Sequence, residues 1–152
     1  MTDSFEAHVS MTINAPRAKV WDALVTPATI KQYLPVTDVV SEWREGSRIV
    51  WRSEFQSKPF EIRGTVLRLE SGRLLEYDHS RPIFRPSGDG RALVTYQRVT
   101  IELSDEGPQT RVSVTERDNK TERELAHSEG GWRLALSNMK ALLEGTSIAP
   151  LR

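Results

Sequence analysis

The feature that most constrains the fold is a long run of strand-like sequence in the middle of the chain. After Pro35, about eighty residues form apolar–polar alternations separated by turn residues, with no helical spacing among them. Six strands are predicted there, over 37–43, 47–55, 60–70, 74–80, 93–107 and 109–117. Consecutive strands without intervening helices indicate an antiparallel sheet.

Helical spacing occurs only on either side of this run. A first strand over Phe5–Ile13 alternates without a miss, and the segments 16–27 and 27–35 then have the spacing of two short helices bounded by prolines. Near the other end, residues 121–145 have apolar or small side chains at i, i+3, i+4 and i+7. This long helix must cover the apolar face of the sheet, so the predicted class is α+β.

The sequence predicts where the final helix begins and ends, and how far the domain extends. Thr121 with Glu124 forms a capping box at the start of that helix, and Gly145 is placed to end it. The whole chain, 1–152, is expected to form one domain with its core over 5–145, a length that suits one hydrophobic core.

Three local irregularities stand out against these patterns. Gly130 and Gly131 interrupt the final helix, where each costs about 1 kcal/mol relative to alanine. Either they let the helix bend over the sheet edge, or they relieve a steric contact with a strand. A change of apolar face predicts a β-bulge near Gly64–Val66. The segment 81–92, rich in proline and glycine, is expected to be a loop in which SGDGR (87–91) forms a solvated turn.

The composition excludes several kinds of chemistry. Without cysteine, disulfides, thiol catalysis and cysteine-bound zinc are excluded. The three histidines, His8, His79 and His127, are far apart, so neither a metal nor another cofactor is expected. Acidic and basic residues number 21 each, which gives no reason to expect nucleic acid as a partner. No apolar segment approaches the roughly 20 residues of a membrane span, and no signal peptide is evident, so a cytoplasmic protein without membrane insertion is expected.

Three segments resemble one known family. INAPRAKVWDALVTPATIKQYL, residues 13–34, is similar to the opening of Bet v 1-like or START-related (SRPBCC) helix-grip domains. Within these it resembles the bacterial group similar to the C-terminal domain of the activator of Hsp90 ATPase. RGTVLRLESGRLLEYDHS, residues 63–80, resembles the middle hairpin of that group, and GWRLALSNMKALLEG, residues 131–145, resembles its final helix.

The resemblance implies a specific architecture and a ligand site. Such domains have a curved seven-stranded antiparallel sheet wrapped around a long C-terminal helix, with two short helices between strands 1 and 2. Between sheet and helix they often enclose a cavity for an apolar ligand. One departure from the family pattern is His79, where relatives often have tryptophan.

Two titratable residues are predicted to point toward this interior. His79 shares a strand face with Leu75 and Tyr77, where it could act as an acid or base, or lie hydrogen-bonded or solvated at the rim. Glu116 continues the inward face of the last strand, and because a buried carboxylate needs a partner, a solvated position at the mouth is expected. With Glu129, these residues could form a polar mouth.

The other side chains on the predicted inward faces are mostly aromatic or aliphatic. They suit a small apolar ligand, and they would suit a filled core equally well. The candidate ligand-binding residues are Trp51, Phe55, Phe60, Val66, Leu75, Tyr77, His79, Val99, Ile101, Val112, Trp132, Leu136 and Met139.

Three functions follow as hypotheses from these residues and the resemblance. The first is binding of a small hydrophobic or aromatic ligand. The second is a protein-interaction module with a chaperone partner, as in the Hsp90-activator domain. The third is a cofactor-free cyclase, dehydratase or hydrolase acting on an aromatic or polyketide-like substrate, with His79, Glu116 or Tyr77 as its acid–base groups. A homodimer formed through an exposed strand edge is compatible with each, and ligand binding is the function expected.

Overall fold

The computed structural model describes residues 5–55, 57–86 and 92–145, and for strand residues 55, 81–86 and 92–95 it describes the backbone alone. The described chain contains strands and helices in the order β1 (Phe5–Ile13), α1 (Arg17–Val25), α2 (Pro27–Tyr33), β2 (Asp38–Ser41), β3 (Arg48–Phe55), β4 (Lys58–Glu70), β5 (Leu74–Pro86), β6 (Ala92–Glu106), β7 (Gln109–Asn119) and α3 (Glu122–Glu144).

The strands form one antiparallel sheet in the order β1-β7-β6-β5-β4-β3-β2. The first strand pairs with the last, so β1 and β2 lie at the two edges. The curved sheet, the long C-terminal helix and the two short helices confirm the predicted α+β helix-grip architecture. We call the face of the sheet covered by α3 the inner face. Ala135, Leu136 and Met139 of α3 are buried against it.

The predicted loop over 81–92 is wrong for most of its length. β5 continues to Pro86, and β6 begins at Ala92 and pairs with it. Proline is tolerated in a strand at an edge or a bulge, and the register shifts between Ile83 and Pro86. The prolines therefore belong to an irregular strand end and do not terminate the strand. The SGDGR segment, 87–91, lies outside the described residues.

β4 and β5 approach each other very closely at Gly64. A Cβ atom added there would lie 1.8 Å from the backbone oxygen of Asp78, so this position has no room for a side chain. The predicted bulge lies slightly further along β4, where the pairing register shifts between Val66 and Arg68. These two irregularities occur at neighbouring positions in the middle of the sheet.

A second bulge lies at the end of β7. Phe5 pairs with Asn119 and Ala7 pairs with Glu116, so two residues of β7 oppose one residue of β1. Asp118, inside the bulge, has a left-handed backbone with φ of 69°. A bulge changes the direction of the side chains beside it. Glu116 and Asn119 are consequently both buried, although simple alternation would place them on opposite faces.

The ends of α3 are as predicted, but the predicted steric contact at its paired glycines is not found among the described residues. The Thr121 hydroxyl accepts a hydrogen bond from the backbone N–H of Glu124, and Gly145 ends the helix with φ of 77°. Gly130 and Gly131 are exposed, and a Cβ atom at either position would meet no described atom within 4 Å. None of the helices in the described part of the chain has the length and apolarity that a bilayer crossing requires.

Candidate functional site

A small apolar cavity lies between α3 and the inner face of the sheet. Its volume is about 30 Å³, which is room for about two water molecules. Its walls come from the three helices, from β5, and from strands on both sides of β5. Several predicted ligand-binding residues line it, namely Trp51, Leu75, Tyr77, Ile101, Trp132, Leu136 and Met139.

The remaining predicted residues are placed elsewhere. Val66, Val99 and Val112 are fully buried in the core but do not line the cavity. The prediction that Phe60 points into the interior is wrong, because its side chain is 37% exposed. β4 extends beyond the covering helices at this end, where all residues from Lys58 to Glu61 are exposed. The side chain of Phe55 lies outside the described part of the structure.

Sequence reasoning missed the outer wall of the cavity. This wall is formed by α1, α2 and the segment after β2, and its lining residues are Leu24, Ile30, Tyr33, Leu34 and Trp43. From the sheet itself, Ile49 of β3 and Val114 of β7 also line the cavity. The apolar face of α2 was the available signal, since a short amphipathic helix must cover something. Its spacing alone could not indicate which part of the sheet it covers.

A buried polar cluster adjoins this cavity and is centred on Glu116. One carboxylate oxygen, Oε2, accepts a hydrogen bond from His79 Nε2 at 2.8 Å. The other, Oε1, accepts bonds from Ser128 Oγ at 2.5 Å and from Trp132 Nε1 at 2.8 Å. The Trp132 ring thus lines the cavity and also contacts the carboxylate. Glu116 is only 7% exposed, so the expected position in water is wrong.

These contacts keep Glu116 ionised in spite of its burial. Burial by itself would raise the pKa of Glu116, but the hydrogen bonds from His79, Ser128 and Trp132, together with the charge of the imidazole, outweigh it. The pKa of the carboxyl is therefore lowered. A negative charge is held in the interior by donors from β5 and α3.

His79 lies half-buried between this carboxylate and the aromatic cluster. Its Nδ1 atom is 3.3 Å from the backbone oxygen of Ser80, so both ring nitrogens face oxygen acceptors. The ring packs edge-on against Trp51, with 6.1 Å between centroids. The predicted alternative of a hydrogen-bonded histidine near the rim therefore describes His79 better than a free acid or base.

Glu129 does not join the cluster. No hydrogen bond or ion pair connects it to His79 or Glu116 within the described part of the chain. The helix contributes Ser128 and Trp132 instead, which are one turn apart on the buried face. Both are donors that lie on the apolar face of α3. A donor on that face was the signal in the sequence that they could bind a buried acceptor such as Glu116.

Tyr77 differs from the other polar residues around the cavity. Its side chain is 7% exposed, and its hydroxyl has no hydrogen-bond partner among the described residues. Burial, and then the nearby charge of Glu116, raise its pKa well above 10, so the hydroxyl stays protonated. By contrast, the Tyr33 hydroxyl donates a hydrogen bond to the backbone oxygen of Ala23 at 2.8 Å.

The chemical capacity of the site follows from these contacts. Both oxygens of Glu116 and both nitrogens of His79 already have partners, whereas the Tyr77 hydroxyl has none in the part of the chain that the structure describes. The Tyr77 hydroxyl is therefore available to bind a polar atom of a ligand, whereas His79 and Glu116 are less available to exchange protons with it. In the described residues, no three His, Asp or Glu side chains meet in a way that could hold a metal ion.

Comparison with known proteins gives relatives of the same fold. The family model for "Activator of Hsp90 ATPase homolog 1-like protein" matches residues 14–144. The solution structure of ChR145 from Cytophaga hutchinsonii is 40% identical, covers 93% of this chain and 94% of its own, and has a TM-score of 0.75. SSP2350 from Staphylococcus saprophyticus is 24% identical, with coverages of 97% and 98% and a TM-score of 0.72. No curated protein matches the chain.

A further structure is that of the Aha1 dimer from Colwellia psychrerythraea. It is 20% identical, covers 92% of this chain and 96% of its own, and has a TM-score of 0.69, so it shares the fold. The family model spans everything from the end of β1 to the end of α3. The chain therefore belongs to the family of activator of Hsp90 ATPase homolog 1-like proteins.

Proposed function

We propose that the protein binds a small, largely apolar molecule between the inner face of the sheet and α3. The observation that carries this proposal is Tyr77, whose side chain lines an apolar cavity and whose hydroxyl has no protein partner among the described residues. A hydrogen bond to such a group contributes about 0.5–1.5 kcal/mol net. A ligand acceptor that supplies the partner gains this free energy.

Binding requires the outer wall of the cavity to move. A volume of about 30 Å³ is far below the roughly 300–1,000 Å³ of a pocket for a drug-sized ligand. Leu34 and Trp43 of this wall are only half-buried. Trp43 also has a left-handed backbone with φ of 55°, which is strained for a bulky residue. Displacing this segment would enlarge the cavity and relieve the strain.

A thermal-shift screen against aromatic acids, flavonoids, fatty acids and lipids tests the proposal. A ligand at 100 times its Kd adds about 2.7 kcal/mol to the free energy of unfolding, which raises the melting temperature by several degrees. The shift should persist in Phe60→Ala, which removes a ring outside the cavity, and should decrease in Trp51→Ala, which removes part of its wall. The absence of any shift across the library would contradict ligand binding.

A second candidate function is a protein-interaction module acting on a chaperone. It is supported by the description of the family model and by the relative described as Aha1. This function would use the outer surface of the domain and would not depend on the cavity. The measurement is Hsp90 ATPase activity with increasing amounts of the protein. Stimulation that Trp51→Ala leaves unchanged would favour this candidate over ligand binding.

Self-association is a separate part of the proposal. The Colwellia relative is described as a dimer, and the two sheet edges, β1 and β2, are candidate surfaces for pairing two copies. Light scattering coupled to size-exclusion chromatography would measure the mass directly. A monomeric mass at all concentrations tested would rule out self-association.

The third candidate, catalysis, depends on the 2.8 Å contact between His79 and Glu116. If the protein turns over any ligand found in the screen, His79→Ala should abolish that turnover. Unchanged turnover in the variant would rule out this pair as the acid–base group.

A further inference from the structure

From the hydrogen-bonding groups around the cavity we infer the chemical class of the ligand, an inference that rests on the proposed function. The geometry points to an aromatic molecule with a neutral hydrogen-bond acceptor, such as an aryl ketone, ester or amide. Hydrocarbons and carboxylates are expected to bind less well.

The first argument concerns donors. The rings of Trp51 and Tyr77 both line the cavity, with 5.0 Å between their centroids. Each side chain is more than nine-tenths buried. Neither the Trp51 indole N–H nor the Tyr77 hydroxyl has a hydrogen-bond partner among the described residues. An indole nitrogen can only donate, so the group that satisfies it must be an acceptor.

The second argument concerns the other polar groups of the lining, whose protons are already used. The Tyr33 hydroxyl donates to Ala23, and the Trp132 N–H donates to Glu116. The remaining side chains of the lining have no strong hydrogen-bonding group, except for the Trp43 indole on the outer wall. On the β3–β5 side of the cavity an incoming ligand therefore meets two open donors, and one of them, the Trp51 indole N–H, can be satisfied only by a ligand acceptor.

The third argument concerns charge. Glu116 is ionised, and its charge acts on Tyr77. His79 shares the carboxylate through the 2.8 Å hydrogen bond but does not line the cavity. A ligand carboxylate would lose its hydration and would find no cationic side chain among the described residues that line the cavity. A neutral carbonyl oxygen accepts the same hydrogen bonds without that cost.

Three probes with equal numbers of non-hydrogen atoms test the inference: acetophenone, cumene and benzoate. Their Kd values are measured by protein-observed NMR titration of the wild type. Acetophenone should bind about fivefold more tightly than cumene, because the carbonyl gains a buried hydrogen bond. A purely apolar cavity would show the reverse order, since cumene is the more apolar molecule. Benzoate should bind most weakly.

Two matched variants identify the donor. In Tyr77→Phe the preference for acetophenone over cumene should decrease, because only the Trp51 N–H remains to donate, and since the hydroxyl has no partner among the described residues the variant should fold normally. In Tyr33→Phe, which removes a hydroxyl from the same cavity lining, the preference should remain. A wild type that binds cumene as tightly as acetophenone, or benzoate most tightly, would overturn the inference but leave the proposed ligand binding intact. A failure of all three probes to bind would count against both.

Discussion

Glu116 has an ionised carboxylate in an interior that is otherwise mainly apolar, and its partners explain how the fold tolerates it. Donors come from β5 through His79 and from α3 through Ser128 and Trp132. Buried charge pairs are seldom required for stability, but removing one member leaves the other without its partner. At the scale of single residues, the site is therefore sensitive to substitution of the acceptor.

We expect Glu116→Gln to lower the free energy of unfolding by about 2 kcal/mol at pH 7, because hydrogen bonds to a charged acceptor are replaced by weaker ones. The pKa of the carboxyl is lowered in the folded state, so its contribution is present above the unfolded pKa near 4.3 and is lost as pH falls through the folded pKa. The difference between wild type and variant should therefore shrink below about pH 4.3.

Urea denaturation across this pH range measures the effect, and Glu129→Gln is the matched control. Glu129 is on the same helix turn as Ser128 but outside the cluster, so its substitution should change stability little. A pH-independent difference for Glu116→Gln would mean that the carboxylate charge does not stabilise the folded state.

The two buried tyrosines should respond differently to loss of the hydroxyl. Tyr33→Phe removes a 2.8 Å hydrogen bond to Ala23 and should destabilise the protein by about 1 kcal/mol. Tyr77→Phe removes a hydroxyl that has no partner within the described residues, and it should be neutral or slightly stabilising. Thermal denaturation of both variants checks this, and equal losses would contradict the assignment of Tyr77 as the open donor.

Strand alternation alone predicted that His79 and Glu116 point inward. It could not predict that they meet, because that depends on the register of three strands. His79 is opposite Gln97 in β6, and Glu116 is opposite Val99. A shift of one residue in either pairing would place the two side chains on opposite faces. The register of strand pairing cannot be deduced from the residue pattern of each strand alone.

At the scale of whole elements, glycines have opposite roles in the sheet and in the final helix. Gly64 has no room for a Cβ atom, since Asp78 of the neighbouring strand is in contact with its backbone. Gly130 and Gly131 face open space in the described structure. Substitution by alanine therefore tests close packing at Gly64 and intrinsic helix propensity at Gly130 and Gly131.

Gly64→Ala should destabilise the protein by roughly 2 kcal/mol or more, because the β4 and β5 backbones must separate. Gly130→Ala should stabilise it by up to about 1 kcal/mol, since alanine is the better helix former. Chemical denaturation of both variants tests this pair. Destabilisation by Gly130→Ala would contradict this expectation and would mean that the glycine has a packing or functional role.

The errors at this scale have physical causes. Prolines and glycines in 81–92 indicate a loop locally, but pairing with β6 keeps β5 extended to Pro86. Alternation placed Phe60 on the inner face, but no rule of periodicity tells where the covering helices end. The bulge at Asp118 likewise depends on the pairing of β7 with β1. Local patterns therefore identified which strands and helices are present, but were less accurate about where each of them ends.

At the scale of the whole molecule, the sequence pattern and the family resemblance predicted the architecture, but not the volume of the interior. The residues predicted to line a cavity and those that fill a core are the same kinds of residue. Whether space remains between them depends on how aromatic side chains from β3, β5 and α3 fit together. The central claim is that this interior admits a ligand, and a probe on a side chain that lines it tests the claim directly.

The methionines provide that measurement. Met139 is fully buried and lines the cavity, whereas Met11 is half-buried on β1, outside it. In a protein labelled with ¹³C at the methionine methyl groups, titration with a library of aromatic ketones, esters and amides should shift the Met139 resonance while leaving that of Met11 unchanged. If no compound moves Met139, or if both resonances move together, the interior does not bind the ligand proposed here.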